Sequence, residues 1–264
     1  MQIKLLLHSA LYFEADIFIR KYKLKKDMEI CDFMFFYNSQ SKIGLITSTK
    51  SIVSVAYAFG FIRSKYSIYK DCKLLNFGSC GSENLPLGSI KEIVKVSDYH
   101  TLKNYYPIYI EPPLLETATL TTFITPNNDY SIKGLYDMEA VYFFESVSKF
   151  ALRENIRIIK IISDNSETNL DNFDHKILSR YISDKADQLY HYVDSMIREA
   201  AQDSAILTID MPNFSFSEQR ILYEVVRKIR ALGGEINAKD FLCDNFSKLK
   251  NDLEERLDRY HVRY

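Results

Sequence analysis

From the N-terminus to about residue 200, short apolar runs of strand character alternate with amphipathic stretches of helical period. A chain patterned this way buries its apolar positions by laying helices on a sheet. The expected strands are Ile3 to Leu7, Cys31 to Tyr37, Ile43 to Thr47, Lys73 to Asn76, Ile90 to Val96, Thr117 to Phe123 and Ile156 to Ile162. Apolar residues at three-to-four spacing predict helices over Glu14 to Tyr22, Ile52 to Tyr66, Glu139 to Glu154 and Asp174 to Glu199. Gly and Pro cluster at Gly78-Ser79-Cys80-Gly81, Pro86-Leu87-Gly88 and Pro112-Pro113, which read as turns. The expected fold class is α/β, a three-layer α/β/α domain with a central mixed twisted sheet over residues 1–202.

After residue 203 the pattern changes. Ser215-Phe216-Ser217-Glu218 has the spelling of a capping box, opening a helix with Ile221, Leu222, Val225, Val226 and Ile229 on one face and Gly233-Gly234 at its end. Asn237 is placed to cap a second helix whose apolar stripe is Phe241, Leu242, Phe246, Leu249, Leu253 and Leu257. Residues 203–264 are expected to form a helix-loop-helix extension. Acidic residues are as frequent there as basic ones, so it reads as a packing or protein-partner appendage rather than a reader of DNA, which needs a basic face.

The whole chain repeats that exclusion. A formal net charge of −1 with scattered Lys and Arg leaves no nucleic-acid footprint, and the apolar runs are too short to cross a bilayer. Met1-Gln2-Ile3-Lys4-Leu5 reads as a first strand rather than a signal peptide. Cys31, Cys72, Cys80 and Cys243 lie far apart, with no Cys-x-x-Cys pair and no His at zinc-ligand spacing. Reduced thiols in a cytoplasm, and no metal, are the expectation.

Chemistry concentrates where carboxylates meet strand ends. Tyr136-Asp137-Met138-Glu139-Ala140 and Ile162-Ser163-Asp164 each set an acid at the junction of an apolar strand with its loop or helix, the rim where open α/β sheets bind small ligands. Ala10-Leu11-Tyr12-Phe13-Glu14-Ala15 does the same after the first strand. Taken singly each acid has a plainer reading: Asp164 as the cap of a turn with Asn165-Ser166, and Glu139 and Glu14 as acids in first helical turns.

Taken together, in order, these segments resemble the nucleoside phosphorylase and nucleosidase superfamily, specifically the branch that hydrolyses 5′-methylthioadenosine and S-adenosylhomocysteine. Ala10 to Ala15 stands where that branch has an Ala-Met-Glu-Glu-Glu-like loop, and Asn76-Phe77-Gly78-Ser79-Cys80-Gly81 is similar to its Asn-Thr-Gly-Ser-Ala-Gly turn. Leu87-Gly88-Ser89-Ile90, Thr122-Phe123-Ile124, Asp137-Met138-Glu139-Ala140 and Lys160-Ile161-Ile162-Ser163-Asp164 complete the set over residues 1–200. The resemblance implies a phosphorylase/hydrolase-like fold and hydrolysis of the N-glycosidic bond of 5′-modified adenosines, releasing adenine without metal or organic cofactor.

Splitting that bond requires protonating the departing base, stabilising an oxocarbenium-like sugar and aiming a nucleophile. By the resemblance, Asp164 is the general acid toward N7 of the purine, held partly protonated by a low-dielectric pocket, and Glu14 is the base that activates water. Glu139 accepts the ribose hydroxyls and sets its charge beneath the cation, with Met138 against the sugar. Phe123 stacks on the base, Ile124 offers main-chain groups to its edge, and Gly78 and Ser79 let the backbone approach closely. Asp137, Ser163 and Lys50 join the substrate-binding set, Lys50 facing a polar 5′ substituent in place of an apolar wall. His8, His100, His175, His191 and His261 match no catalytic position.

Superfamily phosphorylases hold phosphate with arginines, one of them at the position of Asn76, and Glu14 would repel a dianion, so water is the expected nucleophile. A phosphate-dependent purine nucleoside phosphorylase and a noncatalytic nucleoside- or partner-binding module are the alternatives. Residues 101–116 are shorter than the family's counterpart, leaving Tyr105, Tyr106 and Pro107 to complete a neighbour's pocket. The resemblance implies a homodimer acting in methionine salvage and purine metabolism.

Overall fold

In a computed structural model of the chain, the structure describes residues 2–48, 51–109, 112–127, 129–130, 133–168, 174–207, 214–215, 218, 221–222, 225–226, 229, 236, 238–241 and 245–261. The chain divides into two compact units, residues 1–197 and 198–264.

The first unit is a mixed sheet covered by helices. Its strands are β1 (Gln2–Ser9), β2 (Lys25–Lys26), β3 (Met34–Asn38), β4 (Ile43–Thr47), β5 (Ser67–Ser82), β6 (Ile90–Asp98), β7 (Asn104–Tyr105), β8 (Thr117–Thr122), β9 (Leu135–Asp137) and β10 (Ile156–Asp164). Its helices are α1 (Tyr12–Lys21), α2 (Ile52–Lys65), α3 (Ala140–Val147), α4 (His175–Asp184) and α5 (Ala186–Leu207), the last running into the second unit. The sheet order is β10-β6-β8-β9-β5-β1-β4-β3-β2, with β7 on β6, and β10 also pairs with β5. Strands β5, β10, β6, β8 and β9 therefore close on themselves, and β1, β4, β3 and β2 extend from β5 as an open wing.

Side-chain alternation along β1, β5 and β10 divides the core in two. Leu6, Leu74, Ile158 and Ile162 join Val55, Phe59 and Ile62 of α2 and Val141, Phe143 and Phe144 of α3. Leu5, Leu7, Leu75, Ile159 and Ile161 join Ala15 and Phe18 of α1, Leu178 and Ile182 of α4, and Leu189 and Val193 of α5. The three-layer α/β/α architecture with its mixed sheet is thus the one expected.

Local departures have local causes. Gly78-Ser79-Cys80-Gly81, expected as a turn, continues β5, with Gly78, Ser79 and Cys80 paired to Lys160, Ile161 and Ile162 of β10 and Gly81 to Asp164 after an irregularity at Ser163. The glycines are there because side chains crowd their Cα positions, as the site below makes plain. The helix expected over Glu139 to Glu154 stops at Val147, because the Ser146 and Ser148 hydroxyls donate to the Tyr142 and Glu145 carbonyls and compete with the ladder. A short 3-10 turn, Arg153–Asn155, follows. The helix expected over Asp174 to Glu199 breaks at Lys185, whose N–H turns back to Ile182.

In the second unit Ser215 and Glu218 form the expected capping box: the Ser215 N–H donates to Glu218 Oε2 at 2.8 Å and the Glu218 N–H to Ser215 Oγ at 3.4 Å. Asn237 and Leu242 lie outside the described residues. The second helix, α6 (Phe246–His261), starts later than expected, capped by Asn245, whose Oδ1 accepts the Lys248 N–H at 2.9 Å. Phe241 belongs instead to a 3-10 turn, Ala238–Phe241. Leu222, Val226, Ile229, Leu249 and Leu253 form this unit's own core.

Phe143 is fully buried and packs against both Phe59 and His8, fixing α3 to the sheet. Phe143→Ala is expected to cost about 3–5 kcal/mol, read from the urea midpoint of unfolding.

Candidate active site

Pairing sets the site. Parallel register places Lys160 of β10 opposite Gly78 of β5, and Thr122 of β8 opposite Asp137 of β9. Lys160 is fully buried, and its Nζ lies 2.8 Å from Asp137 Oδ2 and 2.6 Å from Glu139 Oε1. Asp137 also accepts the Thr122 hydroxyl at 2.6 Å and the Ala140 N–H at 2.9 Å, while Thr122 Oγ1 accepts the Val141 N–H at 3.2 Å. Asp137 and Thr122 thereby cap α3. Glu139, the residue preceding that helix, makes no side-chain cap bond of its own and turns its carboxylate to Lys160.

Glu14 reaches the same place from α1. Its Oε2 accepts the Leu11 N–H at 3.1 Å, and its Oε1 accepts the Ser79 N–H at 2.9 Å and the Ser79 hydroxyl at 2.8 Å. Gly78 marks where the groups converge: a Cβ there would stand 2.9 Å from Glu139 Oε1, 3.3 Å from Lys160 Nζ and 3.6 Å from Glu14 Oε1.

Two buried carboxylates hold one ammonium, and a third, Glu14, lies beside them at Gly78. Burial works against the Lys160 charge, but Asp137 and Glu139 outweigh it and raise its pKa above the ordinary value. Burial pushes Glu139 up to about 7; Lys160 opposes this, while Asp137 and Glu14 add to it. The folded state therefore holds a proton on Glu139 that the unfolded chain releases near pH 4.5, and the contribution to stability falls as pH rises from 4.5 to about 7. Over that window Glu139 is expected to remove up to about 3 kcal/mol, and Glu139→Gln to flatten the slope in urea midpoints measured against pH.

A second acid lies farther along β5. Asp164 closes β10 and is buried; its Oδ1 accepts the Ser163 hydroxyl at 2.6 Å and its Oδ2 the Tyr130 hydroxyl at 2.9 Å. The local turn is made by Asn165 instead, whose Oδ1 accepts the Glu167 and Thr168 N–H groups. A Cβ at Gly81 would fall 2.6 Å from Asp164 Oδ2 and 2.9 Å from the Tyr136 ring. Gly78 and Gly81, three residues apart on one strand, stand about 10 Å apart. The site has an acidic cluster at one glycine and a single carboxyl at the other.

Phe123 is buried, with Tyr99 stacked on it at 4.4 Å and Tyr136 edge-on at 6.3 Å. Met138 is half-buried, and Ile124, expected to offer main-chain groups, is 58% exposed. Lys50 lies outside the described residues. Tyr105 donates to Glu145 of α3 in its own chain.

Some roles in this region carry no mark in the sequence. Tyr130 lies in a segment without periodicity, and Thr122, though inside a marked motif, gains its contact with Asp137 only through the β8–β9 pairing. His8 is fully buried, its Nε2 2.7 Å from Ser48 Oγ and its Nδ1 2.9 Å from Asn76 Nδ2. Burial, then the Lys160 charge, lowers its pKa to about 3, so it stays neutral and serves packing. The apolar run before it, Leu5-Leu6-Leu7, was the available signal that it points into the core.

The closed mixed sheet covered by helices is a phosphorylase/hydrolase-like fold, and solved structures narrow the likeness. A variant of the MTAN of Chlamydia trachomatis is similar at 24% identity, over 74% of this chain and 100% of that one, with a TM-score of 0.55. The 5′-methylthioadenosine nucleosidase of Arabidopsis thaliana, in apo form, is similar at 12% identity, over 73% and 97% of the two chains, TM-score 0.56. The MTA/SAH nucleosidase of Colwellia psychrerythraea, in complex with adenine, is similar at 15% identity, over 76% and 96%, TM-score 0.55. The fold of this chain is that of the MTA/SAH nucleosidases. No family profile matches the sequence, and no curated protein matches it significantly.

Gly81→Ala is expected to force Asp164 or the Tyr136 ring out of place and to cost about 1–3 kcal/mol, read from the urea midpoint of unfolding.

Proposed function

We propose that this protein hydrolyses the N-glycosidic bond of adenosine-type nucleosides bearing a 5′ modification, of the methylthioadenosine, S-adenosylhomocysteine or 5′-deoxyadenosine kind, and releases adenine. The observation that carries this reading is the placing of acids along β5: Glu14 and Glu139 converge at Gly78, and Asp164 lies against Gly81 of the same strand, so that a base for water and an acid for the leaving group flank one stretch of backbone. The fold supports it, since its structural neighbours include the C. trachomatis MTAN solved with MTA and with adenine.

The residues then divide the work. Water attacks the anomeric carbon as the bond to the base breaks. Glu14, held by Ser79, takes the proton that water loses. Asp164 gives its proton to the departing base, whose ring lies against Phe123. Glu139 accepts the ribose hydroxyls, with Asp137 and Lys160 holding it in place. The products are adenine and the free sugar; the proton on Glu14 passes to solvent and Asp164 takes one back from solvent, which restores the enzyme.

Water is favoured over phosphate because the cluster's ammonium already serves two carboxylates and Glu14 adds a third negative charge. The proposed setting is a cytoplasmic homodimer in methionine salvage, working without metal or organic cofactor.

Adenine release from methylthioadenosine, S-adenosylhomocysteine, 5′-deoxyadenosine, adenosine and inosine, without and then with phosphate, tests the reading. Release without phosphate is expected; release only with phosphate would make the protein a phosphorylase. Asp164→Asn and Glu14→Gln are each expected to lower kcat by at least about 100-fold with the unfolding midpoint little changed. Normal rates in either variant would remove that residue from the mechanism.

A further inference from the structure

Asp164 Oδ2 has little room for partners. The Gly81 backbone closes one side, where even a Cβ would stand 2.6 Å away, and the Tyr130 hydroxyl occupies another at 2.9 Å. Oδ1, the other oxygen, takes the Ser163 hydroxyl, which is itself tied to the Cys80 carbonyl at 3.2 Å. The residue is only 3% exposed. A group approaching the carboxyl must therefore come from the Tyr130 side. Tyr130 is half-buried, and its ring lies 6.1 Å from Tyr136, which stands edge-on to Phe123. The phenol belongs to the same aromatic enclosure that the base is proposed to enter.

We propose that the Tyr130 hydroxyl and the nucleobase compete for Asp164 Oδ2, so that Tyr130 sets the affinity of the site for purines and swings aside as the base docks. This rests on the reading of Asp164 as the base-facing acid. A buried carboxylate without a donor is costly, and the phenol satisfies it until a base takes over. Tyr130 is then a specificity-determining residue. A base that brings an N–H donor to Oδ2, as free adenine does with its amino group or ring N–H, recovers what the phenol gives up. A ring without a donor there leaves Asp164 unsatisfied and is rejected.

The test is adenine binding by isothermal titration calorimetry to the full chain. Tyr130→Phe keeps the ring and removes the competing hydroxyl, and is expected to tighten adenine binding roughly tenfold, the scale of one hydrogen bond to a charged group. Tyr130→Leu, which also removes the hydroxyl, is expected to shift affinity in the same direction. In an Asp164→Asn background, where the contested carboxylate is gone, Tyr130→Phe is expected to change affinity by less than about twofold. A purely structural tyrosine would lower the unfolding midpoint without tightening adenine or depending on Asp164. Unchanged or weaker binding to both Tyr130 variants, with measurable binding to the native chain, overturns the competition and leaves the nucleosidase reading standing. Failure of the native chain and all variants to bind adenine overturns both.

Discussion

One buried ammonium organises this molecule. Lys160 sits at zero exposure between Asp137 and Glu139, and an ion of that kind, taken from water without partners, would cost several kcal/mol. Its partners come from a different strand and from the start of a helix. The pair can form only if β10 lies beside β5 in the observed register, β9 lies beside β8, and α3 begins where Asp137 and Thr122 cap it. The ion pair thus reports the closure of the sheet. It also explains why the capping work falls on Asp137: a Glu139 committed to the helix N–H groups could not reach Lys160.

The two glycines of β5 follow from the same crowding. Glycine within a strand is unfavourable in itself, and neither Gly78 nor Gly81 has the positive φ that would make it a turn residue. Each removes a Cβ that would strike a carboxylate of the site. A central strand is weakened at two points so that Glu139, Lys160 and Asp164 can lie against its backbone. Gly88 is the contrasting case, with φ of 74°, where the chain does turn before β6.

The sequence carried the parts of this fold that depend on local pattern. Strands β1, β4, β6, β8 and β10 are apolar runs long enough to declare themselves, and α1 and α2 show their period. By contrast β2, β7 and β9 are two or three residues long and exist only through their partners. The continuation of β5 through Gly78 to Gly81 was hidden because glycine in a sequence looks the same whether it serves a turn or a close approach. The site was legible to a similar depth. Glu14, Glu139 and Asp164 occupy strand-end positions that the motifs mark, and the structure brings Glu14 and Glu139 together with Gly78 and Ser79. The Tyr130 contact with Asp164 spans 34 residues, and Thr122 with Asp137 spans 15; neither distance can be seen before the strands are paired.

The charge of the cluster bears on which reacting species it can serve. Glu14, Asp137 and Glu139 bring more negative charge to the cluster than Lys160 offsets; burial is what chiefly raises the pKa of Glu139, and the charges of Asp137 and Glu14 add to it against Lys160. At an effective dielectric of 20, one unit charge about 4 Å from another is worth about 4 kcal/mol. An incoming dianion would meet that penalty from more than one carboxylate, and Lys160, held by two of them, offers little in return. A sugar acquiring positive charge meets the same field with the opposite sign. Folding has fixed the carboxylates in position beforehand, so little reorganisation is needed when the cation develops, and Glu139 adds its charge fully above about pH 7. The negative surplus is the feature best suited to the proposed transition state, and it makes the cluster a poor cradle for phosphate.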